Sequence, residues 1–334
     1  MKAWMFLAAT ALAGSSAEAK QPALLFASEA PIHVTIRGPM STLASNRAET
    51  PRPATMIVDG VTYPITLTTR GITRKTADIC DFPPLRVALT QTAPAGSLFD
   101  HQKHLKLVTH CKRDAGFQQK VLLEYSAYRL YNLMTPLSFR ARLANIDYVE
   151  DNGRPYISRV GYFLEDFSDV AKRNGLTQAH MTGLLPVGQI DPEAGARMSV
   201  FEYMISNYDW SMRAGAAGAE CCHNSRLATA RPGAAVLPVP YDFDYSGLVD
   251  TPYAIQPEGI PIDSVRQRNY RGYCAHMAQA RTIAAQLAAR RSEFLGSFAG
   301  VPGLAPKEQA KAADYLKGFF ADVDSGKIFK GCIN

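Results

Sequence analysis

Residues 236–245 read Val-Leu-Pro-Val-Pro-Tyr-Asp-Phe-Asp-Tyr, a short apolar run that passes directly into two aspartates. The apolar run predicts a short strand, and Asp242 and Asp244 follow its end. Upstream, Asp209 lies in Asn-Tyr-Asp-Trp-Ser at the end of an apolar helical pattern, and Asn224 precedes another predicted strand. The chain therefore offers an acid at a helix end, then an amide, then two acids after a strand.

Phosphoryl transfer in kinase-like folds uses side chains in this order. One carboxylate orients the attacking hydroxyl and accepts its proton, while an amide and a second carboxylate hold Mg²⁺ on the phosphates. Carboxylate and amide oxygens are hard ligands that suit Mg²⁺ and leave coordination positions for phosphate oxygens. The three segments together favour phosphoryl transfer with a divalent metal ion.

With these residues in view, the chain resembles the spore coat protein H (CotH) kinase-like family, an atypical branch of the protein-kinase-like fold among exported proteins. The matching pieces are Arg70-Gly71, Phe82 to Arg86, the strand with Lys106, the helix over 121–133, Gly161 to Asp166, Asn207-x-Asp209 and Asp242-Phe243-Asp244. The resemblance implies a secreted phosphotransferase that uses ATP with Mg²⁺ or Mn²⁺. The implied acceptor is a protein Ser or Thr, or another hydroxyl-bearing substrate.

Position by position, the resemblance implies that Asp209 is the catalytic residue and that Asp242 holds the metal ion. Asp244 replaces the glycine of the kinase Asp-Phe-Gly motif and could bind a second metal ion. Asn224 would be the metal-holding amide, although its distance from Asp209 along the chain exceeds that in kinases. We therefore expect Asn224, Asp242 and Asp244 to form the metal site.

The nucleotide-binding residues implied by the resemblance lie in the first half of the chain. Lys106 lies on the strand before the helix that carries Glu124, which repeats the Lys–Glu arrangement that orients nucleotide phosphates. Arg70, Arg74 and Arg86 are alternative phosphate contacts. The sequence contains neither a G-x-x-x-x-G-K-[ST] phosphate loop nor a G-x-G-x-x-G loop, so no loop motif identifies the phosphate contact.

Hydrophobic periodicity predicts an α+β protein with a strand-rich first half and a helical second half, and the resemblance implies that these are the two lobes of a protein-kinase-like fold with the following roles. Residues 20–165 form a strand-rich N-lobe with one helix, which binds the nucleotide. Residues 166–334 form a helical C-lobe with the catalytic and metal-binding residues. Tight hairpin turns are expected at Asp59-Gly60 and Asn152-Gly153, and one long helix is expected from Met277 to Phe298.

Residues 1–19 have the layout of a secretory signal peptide, with one basic residue, an apolar run and a small-residue cleavage site. We therefore expect a periplasmic or secreted protein. No later stretch of the sequence is long and apolar enough for a transmembrane segment.

Export favours disulfide bonds among the six cysteines. Cys80 and Cys111 end two extended segments and are the first expected pair. Cys221 and Cys222 are adjacent and are expected to reach different partners, with Cys274 and Cys332 available. Six cysteines allow 15 pairings, so the connectivity stays open.

Composition narrows the functional classes. The 334 residues are 47% hydrophobic and 20% charged, which suits a protein with a substantial core and excludes a disordered chain. The net charge of +6 comes from interspersed residues without a basic block, so we expect an anionic ligand and no nucleic acid.

Two other functions remain open. A disulfide-stabilised pseudokinase would keep the fold and act as a binding or scaffold protein. A metal-dependent hydrolase would use the acids together with a histidine, and its residues would be Asp209, His223, Asp242 and Asp244. A purely structural role for His223 is favoured over a ligand or base role, because most histidines in a fold are structural.

Overall fold

Strands dominate the first half of the chain and helices the second, which confirms the predicted mixed α+β class. The computed structural model describes residues 21–216 and 220–334, and the predicted signal peptide lies outside these described residues. The strands are β1 (Ile32–Gly38), β2 (Arg52–Val58), β3 (Val61–Thr69), β4 (Leu85–Leu89), β5 (His104–Val108), β6 (Ala141–Glu150), β7 (Pro155–Leu164), β8 (Thr177–Gln178), β9 (Met181–Thr182), β10 (Glu220–Cys221), β11 (Ser225–Thr229) and β12 (Val236–Pro240). The helices are α1 (Met40–Ser45), α2 (Gln118–Met134), α3 (Phe167–Arg173), α4 (Pro192–Ile205), α5 (Met277–Ala289), α6 (Arg291–Gly296) and α7 (Pro306–Asp324).

The first seven strands form a closed barrel in the order β1-β2-β3-β4-β5-β7-β6. Neighbours are antiparallel except β1 and β6, whose parallel pairing, with Ile32 opposite Ala144, closes the barrel. The β2–β3 hairpin turns at Asp59-Gly60, where both residues have positive φ as the predicted type of turn requires. Closure itself was not predicted, because it depends on a pairing between strands that are far apart in the sequence.

Alternation along β5 places its side chains on two different faces. Leu105 and Leu107 belong to the apolar core inside the barrel. Lys106 therefore points to the outer face, because successive side chains of a strand alternate. Its cross-strand neighbour on β7 is Leu164, which belongs to a second core shared with the helices. The outer face of β5 is thus directed toward the helical half of the molecule.

The second core joins α2 to the helices of the C-terminal half. Tyr128 of α2 and Phe201 of α4 both pack on Phe243, with ring centroids 4.6 Å and 5.2 Å from it. The helix expected from Met277 to Phe298 is instead divided into α5 and α6, because Arg290 leaves the helical conformation at φ −107° and ψ 19°. Among the helices that the structure describes, none has the length and apolar character needed to cross a membrane.

Three disulfide bonds connect the cysteines. Cys80 is bonded to Cys111, as predicted, and Cys274 is bonded to Cys332. The expectation that Cys221 and Cys222 reach different partners is wrong, because these adjacent residues are bonded to one another. The other four cysteines already form two pairs, so no further partner is available. Disulfides of this kind are compatible with an extracellular or periplasmic protein.

Candidate functional site

The two aspartates that follow β12 are fixed by the aromatic residue between them. Phe243 is fully buried between Tyr128 and Phe201. The backbone N–H of Asp242 donates to the Tyr128 hydroxyl at 2.9 Å, and Asp242 has φ of +67°. Aspartate tolerates this left-handed conformation better than most residues. The buried aromatic cluster therefore holds the acids in a defined place beside α2.

Asp209 lies in a short segment anchored at the end of α4. The helix begins at an Asp191 cap and ends at Ser206, whose φ is +54°. The Asn207 side-chain oxygen then accepts the Asp209 N–H at 3.2 Å, and the indole N–H of Trp210 donates to the Asn207 carbonyl at 2.9 Å. These bonds fix the backbone on both sides of Asp209, which the sequence correctly placed after a helix.

His223 and Asn224 both contact the carboxylate of Asp209. His223 Nε2 lies 2.7 Å from Oδ1 of Asp209, and the Asn224 amide donates to Oδ2 at 2.9 Å and to the main-chain carbonyl at 2.7 Å. The hydrogen bond that His223 donates to Asp209, followed by the charges of Asp209 and Asp242, raises the pKa of His223. Sequence reasoning favoured a structural role for His223, whereas in the structure its ring contacts the carboxylate of Asp209, the candidate catalytic residue.

The 15-residue separation between Asp209 and Asn224 does not keep them apart. The intervening segment turns back on itself, because Ser211 N–H donates to the His223 carbonyl and His223 N–H donates to the Ala214 carbonyl, each at 2.9 Å. Asn224 then adopts φ of +47° at the start of β11. The segment between them therefore brings the Asn224 amide back to Asp209.

A cluster of three carboxylates lies between α2 and the segment after β12. One oxygen from each of Glu124, Asp242 and Asp244 lies within 4.8 Å of the others, a spacing that could hold a metal ion. Burial raises the pKa of both Glu124 and Asp244, although the charge of Arg74 opposes this increase. The oxygen atoms of the cluster are hard donors that suit Mg²⁺ or Mn²⁺.

Arg74 is the structural partner of this cluster. Its Nη1 lies 3.2 Å from Oε2 of Glu124, and its Nε lies 3.3 Å from Oδ2 of Asp244. Tyr253 also donates its hydroxyl to Oδ2 of Asp244, at 2.8 Å. Glu124 therefore pairs with Arg74 rather than with Lys106, which differs from the predicted Lys–Glu arrangement. Sequence offered no signal for this pairing, because Arg74 and Glu124 are 50 residues apart.

Lys106 instead faces an aromatic ring of the C-terminal half. Its Nζ lies 4.6 Å from the centre of the Tyr241 ring, and the guanidinium of Arg226 lies 5.5 Å from the same ring. Burial, and then the charges of Arg70 and Arg226, lower the pKa of Lys106 to about 7. Arg86 is exposed on β4 directly opposite Lys106. Arg226 was missed by sequence reasoning, which had considered only basic residues of the first half as phosphate contacts.

The described residues thus form two adjoining groups around the end of β12. The carboxylate groups are Asp209, Glu124, Asp242 and Asp244, and the cationic groups are Arg70, Lys106 and Arg226. No protein-family model matches this chain, and a search of curated proteins finds no match either. The resemblance drawn from the motifs therefore stays an expectation from the sequence.

Proposed function

We propose that this protein is an exported, atypical kinase of two-lobed, CotH-like architecture. It transfers the γ-phosphate of ATP to a hydroxyl of a protein Ser or Thr, or of another substrate. The observation that carries the proposal is that the side-chain amide of Asn224 donates to two atoms of Asp209, its main-chain carbonyl oxygen and Oδ2 of its carboxylate. This contact recreates the acid–amide pair of kinase catalytic loops across a much longer connection.

Asp209 is suited to act on the acceptor hydroxyl. Its side chain is partly exposed, and its carboxylate is held by His223 and Asn224 from two directions. A carboxylate fixed in this way orients the attacking hydroxyl and accepts its proton as the new bond forms. The raised pKa of His223 favours an imidazolium there, whose Nε2 donates to Oδ1 of Asp209.

Asp242 is the residue best placed to hold the metal ion. It is only partly buried, whereas Asp244 and Glu124 are buried and share Arg74. We propose that Asp244 and Glu124 hold Asp242 in position, and that Asn224 is a further ligand of the metal ion. When bound, Mg²⁺ or Mn²⁺ would neutralise charge on the phosphates and align them with Asp209.

The nucleotide phosphates are assigned to the cationic groups on the outer face of the barrel. Lys106 faces the Tyr241 ring, the charge of Arg70 acts on Lys106, and Arg86 lies opposite Lys106 on the neighbouring strand. This assignment replaces the missing glycine-rich loop with side-chain contacts. On this proposal the two parts of the chain have different roles. Residues 20–165 bind the nucleotide, and residues 166–334 carry the catalytic and metal-binding groups.

A metal-dependent hydrolase is the second candidate, and the hydrogen bond between His223 and Asp209 favours it. A histidine–aspartate pair beside a metal ion can activate water as well as a hydroxyl. The cationic groups beside Lys106 weigh against this function, because simple hydrolysis does not need a polyphosphate site. Metal-dependent activity without any nucleotide would favour the hydrolase.

The test is transfer of label from γ-³²P-ATP to a mixed protein acceptor, with Mg²⁺ or Mn²⁺, using the oxidised full chain. We expect labelled acceptor with wild type and loss of at least about a hundredfold with Asp209→Ala and with Asp242→Ala. Lys317→Met on the exposed surface is the matched control. Metal-dependent binding of ATP without any transfer would identify a pseudokinase, and no binding would exclude the kinase.

A further inference from the structure

Arg226 comes from a part of the chain that carries no predicted nucleotide contact. It is the second residue of β11 and lies two positions after Asn224, within the C-terminal half. Its side chain approaches the same Tyr241 ring that Lys106 of the barrel contacts. A residue of each half therefore meets at one aromatic side chain, directly beside Asp242.

Two cations, Lys106 and Arg226, approach this ring, and the charge of Arg70 acts on Lys106. Neither Arg70, Lys106 nor Arg226 takes part in an ion pair across residues 21–216 and 220–334. Like charges held close together repel one another, and the charges of Asp242 and Asp166 offset this repulsion at Lys106 only in part. An anionic ligand would complete the group. Burial lowers the pKa of Lys106 most, and repulsion by Arg70 and Arg226 lowers it further.

We propose that Arg226 is a polyphosphate-binding residue, which with Lys106 and Arg70 holds the phosphate chain of the nucleotide over the ring of Tyr241. The guanidinium can donate two parallel N–H bonds to one phosphate, which an ammonium cannot do. Tyr241 keeps both cations in place through its ring face. The ligand class is a nucleoside triphosphate or an inorganic polyphosphate, recognised mainly through its phosphates.

This inference rests on the proposed kinase function but makes a separate claim. It predicts that the phosphate chain supplies most of the affinity, so that inorganic tripolyphosphate competes with ATP whereas adenosine does not. It also predicts that a residue of the C-terminal half determines nucleotide affinity. A site in which the barrel alone holds the phosphates would not depend on Arg226.

The experiment is calorimetric titration of Mg·ATP, Mg·tripolyphosphate and adenosine into the full oxidised chain. Wild type, Arg226→Gln, Arg226→Lys and Arg231→Gln are compared, after thermal unfolding has shown that each variant is folded. Arg231 is exposed in the loop after β11 and provides the same change of net charge. We expect Arg226→Gln to weaken ATP and tripolyphosphate alike by about tenfold or more, Arg226→Lys to be intermediate and Arg231→Gln to match wild type.

The outcomes separate the two claims. Equal ATP affinity of wild type and Arg226→Gln would overturn the role of Arg226 and leave the kinase proposal standing. Arg226-dependent binding together with absence of label transfer would support the site and remove the kinase. No binding of either phosphate compound by wild type would remove both. Strong binding of adenosine alone would also contradict the inference, because the base would then supply the affinity.

Discussion

The Nη1 atom of Arg74 lies 3.2 Å from Oε2 of Glu124, and both side chains are buried. This pair joins the segment after β3 to helix α2, and Arg74 extends the contact to Asp244. Breaking a buried ion pair by removal of one partner leaves an uncompensated charge, which is more costly than the loss of the contact itself. Arg74 therefore links the stability of the fold to the geometry of the candidate metal site.

We expect Arg74→Met to lower the free energy of unfolding by about 3–5 kcal/mol, measured by urea titration at neutral pH. Glu124→Gln should cost less, because Arg74 keeps its contact with Asp244. Lys317→Met, which removes an exposed ion pair with Asp314, should change stability by less than about 1 kcal/mol. Equal effects of Arg74→Met and Lys317→Met would contradict the structural role of the buried pair.

The titration of His223 should depend on Asp209. Since the hydrogen bond that His223 donates to Asp209 is the main cause of the raised pKa, Asp209→Asn should lower the pKa of His223. Asp242→Asn should lower it less, because Asp242 acts only through its charge. The measurement is NMR of the His223 ring over a pH series. The contact is absent in solution if all three proteins give the same pKa.

The same contact predicts the sign of a pH effect on stability. The pKa of His223 is raised in the folded protein, so the contact stabilises the fold below the unfolded pKa of about 6.5 and is lost as the pH rises through the folded pKa. Asp209→Asn should therefore destabilise the protein more at acidic than at alkaline pH. Urea titrations of wild type and Asp209→Asn, each at an acidic and an alkaline pH, measure this difference in the free energy of unfolding.

Nucleotide affinity should fall as the pH rises through about 7, because Lys106 loses its proton there. A polyanion binds more tightly to the protonated amine. Lys106→Arg provides a matched variant, since arginine keeps its charge throughout this range and the titration of the nucleotide is common to both proteins. We expect a flatter pH dependence with Lys106→Arg in calorimetric titrations. Parallel curves for the two proteins would show that Lys106 is not the titrating contact.

The disulfide between Cys274 and Cys332 joins residues separated by 58 positions and connects the start of α5 to the end of the chain. Replacement of both cysteines by serine should lower the free energy of unfolding by about 2–4 kcal/mol, because the unfolded chain gains freedom. The matched control is the reduced wild type, which should lose at least as much. A double-serine variant with wild-type stability would contradict this expectation.

Local patterns were sufficient to predict much of the fold. The β2–β3 hairpin followed from Asp59-Gly60, and α2 followed from apolar spacing that ended before Pro136. Closure of the barrel was not accessible, because the pairing of β1 with β6 is a long-range contact. The break at Arg290 was missed, since apolar residues continue at helical spacing across it.

Some residues of the candidate site could likewise be selected from the sequence, and others could not. Asp209, Asn224 and Asp242 were found because chemistry and order in the chain identify them, and the structure brings the first two into contact. The partners Arg74 and Arg226 could not be chosen from among the many basic residues, because only tertiary packing decides which of them approaches an acid or an aromatic ring. The roles assigned to all five residues in catalysis and binding remain predictions.

The most direct test of the account is metal-dependent ATP binding by Asp209→Ala and by Asp242→Ala, measured by calorimetry with Mg²⁺ and with EDTA. If Asp242 holds the metal ion and Asp209 acts on the acceptor, Asp242→Ala should lose the metal-dependent part of ATP binding. Asp209→Ala should keep ATP affinity within about threefold of wild type. Metal-dependent binding that is unchanged in Asp242→Ala, or lost in both variants alike, would contradict this division of roles.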